Sequence, residues 1–177
     1  MSAAFNDFIE RVRLKFATKS PTRSELEAIG RELKAICLEA AFDKNVYRAA
    51  SPREELMYEL SVDPNGGASI YLVSDGAGVD TPPHEHQIWA VVVGMKGVEF
   101  NEFYKPVGNR AGDVIKVSEC RIGPGDVLTT EAHEIHAINS SHGIHPTYHI
   151  HLYGRSLASL PSFDSRCYNL SPIHNSR

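Results

Sequence analysis

Residues 81–104 read TPPHEHQIWAVVVGMKGVEFNEFY, and the change of texture along this run decides the fold. Pro82 and Pro83 hold the start of the run extended, because proline fixes its own φ and pushes its predecessor out of the helical region. Residues 88–93 and 98–104 are then rich in β-branched and aromatic side chains, with a Gly94–Gly97 turn signal between them. This is the pattern of strands. In an extended segment residues i and i+2 share a face, so His84 and His86 aim at one point while Glu85 faces away.

The same texture continues on both sides. Further strands are predicted at 57–62, 69–74, 114–122, 126–130, 135–139 and 147–153, punctuated by Asp63-Pro64-Asn65-Gly66-Gly67, by glycines at 108 and 112, and by Gly123-Pro124-Gly125. Short strands at regular spacing, with no helix between them, predict a sandwich or barrel and argue against a parallel βαβ sheet. From Ala3 to about Phe42 the period is different. Phe5, Phe8, Ile9, Val12 and Phe16, then Leu26, Ile29, Leu33, Ile36 and Cys37, recur at helical spacing and predict two amphipathic helices packed on a core. Ser20-Pro21 separates them, and Ser24 with Glu27 forms a capping-box signature near the start of the second.

With 177 residues the chain can bury one substantial core, so a single domain is expected over 1–177: a helical region (1–55), a barrel (56–155) and an irregular tail (156–177). A net charge of -4 and a pI near 6.1 leave no basic footprint for nucleic acid. No apolar run is long enough to span a bilayer, and Asp7, Glu10, Arg11 and Arg13 interrupt the start where a signal peptide would be apolar. Cys37, Cys120 and Cys167 are odd in number and widely spaced, which suits reduced thiols. The expectation is a cytoplasmic protein, a monomer or small homo-oligomer, acting on a small molecule without nucleic acid or membrane as partner.

Nine histidines are the one compositional excess. After His-x-His comes a tight turn at 123–125 and then, fifty residues beyond His86, the histidine of Ile135-His136-Ala137-Ile138-Asn139. Alone, a histidine on an apolar strand is more often a satisfied core residue; paired with the earlier motif, His136 is the candidate third metal ligand. His133 is its rival, three residues away on the other strand face or in the turn. His149, His151 and Tyr153 occupy i, i+2 and i+4 of one strand and share a face. Trp89 reads as core or pocket wall, and His142 and His145 as solvated loop residues.

The two segments, His84-Glu85-His86 through Gly97 and Gly123 through Asn139, resemble the two motifs of the cupin superfamily. That resemblance implies a double-stranded β-helix (jelly-roll) barrel, here mainly β with helices in front. In cupins the first motif normally supplies two histidines and a glutamate, and the second a further histidine. At the glutamate position, around Ala90 and Val91, this chain is apolar. Three histidines without the carboxylate is the pattern of the thiol dioxygenases, the family of cysteine dioxygenase and 3-mercaptopropionate dioxygenase. His149-Ile150-His151-Leu152-Tyr153-Gly154 is similar to that family's Ser-x-His-x-Tyr strand, with His149 in place of the serine. No cysteine matches the family's thioether position, and no arginine lies near residues 57–60. Arg155 or Arg166 would have to bind a substrate carboxylate instead.

The resemblance implies a mononuclear non-haem Fe(II) enzyme that adds O2 to a small thiol. His84, His86 and His136 would hold the metal, His149, His151 and Tyr153 would serve catalysis, and Arg155, Arg166 and Trp89 would bind substrate. Imidazole ligands alone admit Zn(II) or Ni(II) as well. Two rival readings remain at this level: a three-histidine iron dioxygenase that cleaves a diketone, and a metal-binding cupin without redox turnover, such as a zinc lyase or a small-molecule sensor.

Overall fold

The computed structural model describes residues 2–39, 46–108 and 112–171. Two helices, α1 (Ser2–Phe16) and α2 (Arg23–Glu39), precede seven strands: β1 (Glu55–Val62), β2 (Ser69–Asp75), β3 (Ala90–Pro106), β4 (Asp113–Ile122), β5 (Val127–Thr130), β6 (Ile135–Tyr153) and β7 (Asn169–Leu170). The predicted continuation of α2 to Phe42 lies outside the described residues.

The strands form one sheet in the order β1-β2-β6-β3-β4-β7, with β5 paired to β3. Two long strands organise it. The first part of β3 pairs with β5 on one side and with the end of β6 on the other. Its second part pairs with β4 and with the start of β6. The sequence predicts separate strands where the structure has continuous ones, because the chain bends at Gly94–Gly97 by shifting register instead of breaking. Gly97 allows this. At φ 77° a Cβ there would sit 2.4 Å from the Ile144 carbonyl oxygen on the facing strand. The sheet curls into the expected mainly β, double-stranded β-helix with helices at its N-terminal side.

Alternation along the strands sorts side chains between two environments. Ile70, Leu72, Val91, Val93, Ile150 and Leu152 point outward and meet Phe5, Phe8, Leu26 and Leu33 of the helices in the main core. Each such fully buried Leu or Phe contributes about 1.5–3 kcal/mol. The opposite parity, with Tyr71, Val73, Ala90, His149, His151 and Tyr153, lines the inside of the curl.

Helix α2 is capped two residues before the predicted capping box. Thr22 is its cap: the Glu25 amide donates to Thr22 Oγ1 (3.3 Å) and the Thr22 amide to Glu25 Oε2 (2.9 Å). The Ser24–Glu27 pair has the same spacing but lies inside the helix. The C-terminal tail is also more ordered than its sequence suggests. It forms two 3-10 turns, Leu157–Ser159 and Phe163–Arg166, and β7 then pairs in parallel with β4. No helix among the described residues is long and apolar enough to cross a membrane.

Candidate metal centre

The His-x-His segment is held by backbone bonds before any side chain acts. The His84 amide donates to the His136 carbonyl (2.8 Å) and the His136 amide returns the bond (2.9 Å), so two residues distant in sequence face each other as an antiparallel pair. On its other side the segment is bound to the tail: the Glu85 amide donates to the Arg166 carbonyl (3.1 Å) and the Tyr168 amide to the Pro83 carbonyl (2.8 Å). Gln87, at φ 59°, then turns the chain into β3, a left-handed conformation that is rare outside glycine.

This frame brings His84, His86 and His136 together, with one ring nitrogen of each within 4.8 Å of the others. His84 Nδ1 donates to the Pro82 carbonyl oxygen (2.9 Å), and His136 Nδ1 donates to Asn101 Oδ1 (3.0 Å). Those bonds fix both tautomers, leaving Nε2 of each ring as a lone pair aimed inward. His86 Nε2 lies 2.9 Å from His136 Nε2. Three neutral imidazoles with converging lone pairs are the donor set of a first-row divalent metal, so the residues fit one. Glu85 turns away as predicted and meets His133, whose Nδ1 is 3.2 Å from Glu85 Oε2. That ring is exposed and is absent from the cluster.

Electrostatics keep the rings neutral. Burial is the largest influence on all three; His136, His84 and His151 add to it at His86, which falls to about 2. His136 falls to about 3 through burial with His84 and His151, and His84 is lowered by burial and by the Arg166 charge. Protons therefore do not compete for these lone pairs at neutral pH.

Two of the three residues named on the 149–153 strand stand next to the cluster. His151 Nδ1 is 3.1 Å from the Tyr153 hydroxyl, and the Tyr153 ring lies 5.2 Å from that of His86. Burial, with Glu55 and Tyr71 adding, raises the Tyr153 pKa above its ordinary range, so the phenol keeps its proton. His149 does not continue the series. Its ring is 6.2 Å from His151, and its Nδ1 lies 3.1 Å from Glu99 Oε2.

Among the residues named for substrate, Arg166 is buried in the tail, where Nη1 donates to the Glu85 carbonyl (2.6 Å) and Nε to that of Pro161 (3.2 Å). Its charge bears on His84, His86 and Tyr153, which puts it on the side of the cluster. Trp89 and Arg155 sit elsewhere. Trp89 packs edge-on against Phe16 at 6.5 Å in the outer core, and with the exposed Arg155 it lines a cleft of about 620 Å³ beside α1. His145 is also engaged, its ring nitrogens 3.3 Å from the Asp75 carbonyl and 3.0 Å from that of Ser140.

Residues that the sequence reading passed over complete the surroundings. Phe103, the cross-strand partner of His136, stacks on it at 6.4 Å, and Phe163 of the tail lies 4.8 Å from the His84 ring. Asn101, which orients His136, is itself held by donating from Nδ2 to Glu99 Oε1 (3.0 Å). Its signal was available, since Asn101 and Phe103 have the same strand parity.

No protein-family model matches this chain. Among solved structures, it is similar to a cupin-superfamily protein from Desulfitobacterium hafniense at 19% identity, covering 67% of this chain and 93% of that one with a TM-score of 0.48. It is also similar to KdgF from Halomonas sp. at 17%, covering 68% and 99%, TM-score 0.48. An RmlC-like cupin with a double-stranded β-helix fold from Methanocaldococcus jannaschii matches at 10%, covering 69% and 94%, TM-score 0.45. The structural neighbours are thus cupin-superfamily proteins, and the chain carries a three-histidine group able to hold a metal.

Proposed function

We propose that the protein is a mononuclear non-haem iron dioxygenase that converts a small carboxylated thiol to its sulfinate, RS⁻ + O2 giving RSO2⁻. The observation that carries this reading is the donor set. Three neutral imidazoles converge with no carboxylate among them, so a bound divalent ion keeps its full charge and attracts an anionic substrate. Fe(II) held by His84, His86 and His136 would supply the redox chemistry that lets O2 react with a thiolate.

The chain's own residues do the rest. Arg166, tied to the His84–His86 segment through Glu85, would pair with the substrate carboxylate and set which end of the molecule faces the histidines. Tyr153 keeps its proton and offers a hydrogen bond toward the space beside His86. His151, held neutral by a pKa lowered to about 4 through burial and His149, fixes the rotation of that hydroxyl by donating from Nδ1 to the Tyr153 oxygen, which leaves the phenol proton free to point that way. Phe103 and Phe163 wall the cluster with apolar surface that limits water.

Anaerobic loading with Fe(II), followed by oxygen uptake on 3-mercaptopropionate, cysteine and cysteamine, tests the reading. The expected result is uptake matched by sulfinate, strongest for the thiols that carry a carboxylate. No uptake on any of the three sinks the thiol assignment. Uptake on a diketone, or stoichiometric zinc with indifference to oxygen, would move the protein to another cupin chemistry.

A further inference from the structure

A second set of metal-competent side chains lies on the same inner face of the sheet, built from residues that the proposed reaction does not use. Asp75 ends β2, Glu99 is on β3 and His149 is on β6. One ligand atom of each lies within 4.8 Å of the others, and the three residues are 1%, 1% and 0% exposed. Groups so buried normally pair with each other or with a cation. These do not pair. Both Asp75 carboxylate oxygens, Glu99 Oε2 and both ring nitrogens of His149 lack a hydrogen-bond partner. Glu99 Oε2 and His149 Nδ1 approach to 3.1 Å, an ion pair only when the ring carries a second proton. Among the described residues no lysine or arginine pairs with Asp75 or Glu99, and Glu55 faces Asp75 across the strand pair, adding negative potential.

We infer that Asp75, Glu99 and His149 form a second, inner site for a divalent first-row metal ion. Two carboxylates and a neutral imidazole around a +2 ion sum to zero charge, which suits a site closed to water. The oxygen-rich set favours Mn(II), Fe(II) or Zn(II) over softer ions. A proton shared between Asp75 and Glu99 is the competing arrangement. It would satisfy one Asp75 oxygen and leave the other, with His149 Nε2, unpartnered in the interior. The position also matters for the three-histidine centre, because Glu99 holds Asn101 and Asn101 holds His136.

The test separates the two centres. A His84→Ala/His136→Ala variant, which lacks the outer ligands, is dialysed against Mn(II) and its metal content measured beside the same variant carrying Asp75→Asn and Glu99→Gln. The expected result is one tightly held Mn(II) per chain in the first and none in the second, with circular dichroism unchanged. A folded first variant that holds no Mn(II), or equal content in both, overturns the proposal. Should the variants not fold, anomalous diffraction from wild-type crystals grown with Mn(II) decides: a peak between Asp75, Glu99 and His149 supports the inner site, and density without a peak there leaves only the shared proton. Loss of thiol turnover with the inner peak present would count against the proposed reaction alone.

Discussion

His136 Nδ1 lies 3.0 Å from Asn101 Oδ1, and the amide of Asn101 is turned by its bond to Glu99, so the tautomer of a candidate metal ligand is set two residues away. Replacing Asn101 by Leu removes the acceptor without adding charge. Metal affinity at the three-histidine centre should fall about 10–100-fold, the usual cost of losing such a partner. Competition of wild-type and N101L protein with a chelator measures it; unchanged affinity would mean His136 is oriented by packing alone.

Tyr153 and His151 are predicted to act on the rate and not on affinity for substrate. Tyr153→Phe keeps the ring contact with His86 and removes only the hydroxyl, and kcat should drop about 10²-fold or more with KM nearly constant. Steady-state oxygen uptake reads the split. A rise in KM alone would turn Tyr153 into a binding residue.

Arg166→Met should discriminate among substrates. A charged hydrogen bond is worth about 1.5–3 kcal/mol, so kcat/KM for 3-mercaptopropionate should fall about 10–100-fold while cysteamine, which has no carboxylate, changes little. Because Arg166 Nη1 also ties the tail to Glu85, the variant's thermal midpoint is the control. Equal losses on both thiols would show a structural role only.

In metal-free protein the buried histidines set the acid limit of stability. Their folded pKa values lie below the ordinary 6.5, at about 2 for His86 and about 3 for His136, so below pH 6.5 the unfolded chain takes up protons that the folded one refuses. Stability is full above 6.5 and falls as pH drops, by about 1.4 kcal/mol per unit for each such ring. Asp75 works the other way. Burial, then Glu99 and Glu55, raise it from 3.8 to about 7, so its contribution is present at acid pH and lost as pH rises through 7. Asp75→Asn should therefore steepen the acid decline of the metal-free protein by about 1.4 kcal/mol per unit between pH 4 and 6.5. Urea titrations across that range give the slopes; a shallower decline in the variant would contradict the assignment.

Much of this was readable before the fold was known. The strands betrayed themselves by alternation, and His84, His86 and His136 by parity and by the turn ahead of the third. What escaped reading has physical causes. Thr22–Glu25 and Ser24–Glu27 satisfy the same capping rule, and only the packing of Leu26 and Leu33 against the sheet selects where the helix begins. Asp75 and Glu99 sit among polar and apolar neighbours like any solvent-facing carboxylate, and their meeting with His149 depends on three strands curling together. The tail lacks a period because single backbone bonds to Pro83 and Glu85, and the two-residue β7, place it. Arg155 and Arg166 look alike as sequence, and the path of the tail brings only Arg166 to the histidines.

The reciprocal amide pair between His84 and His136 makes the cluster a matter of counting. Deleting one residue between Pro82 and His84 would carry Glu85 into the slot now filled by an imidazole and swing both rings out toward His133. A cluster of neutral donors would then carry a carboxylate, so the spacing from the prolines to the first histidine governs the sign of the charge this barrel offers to whatever enters it.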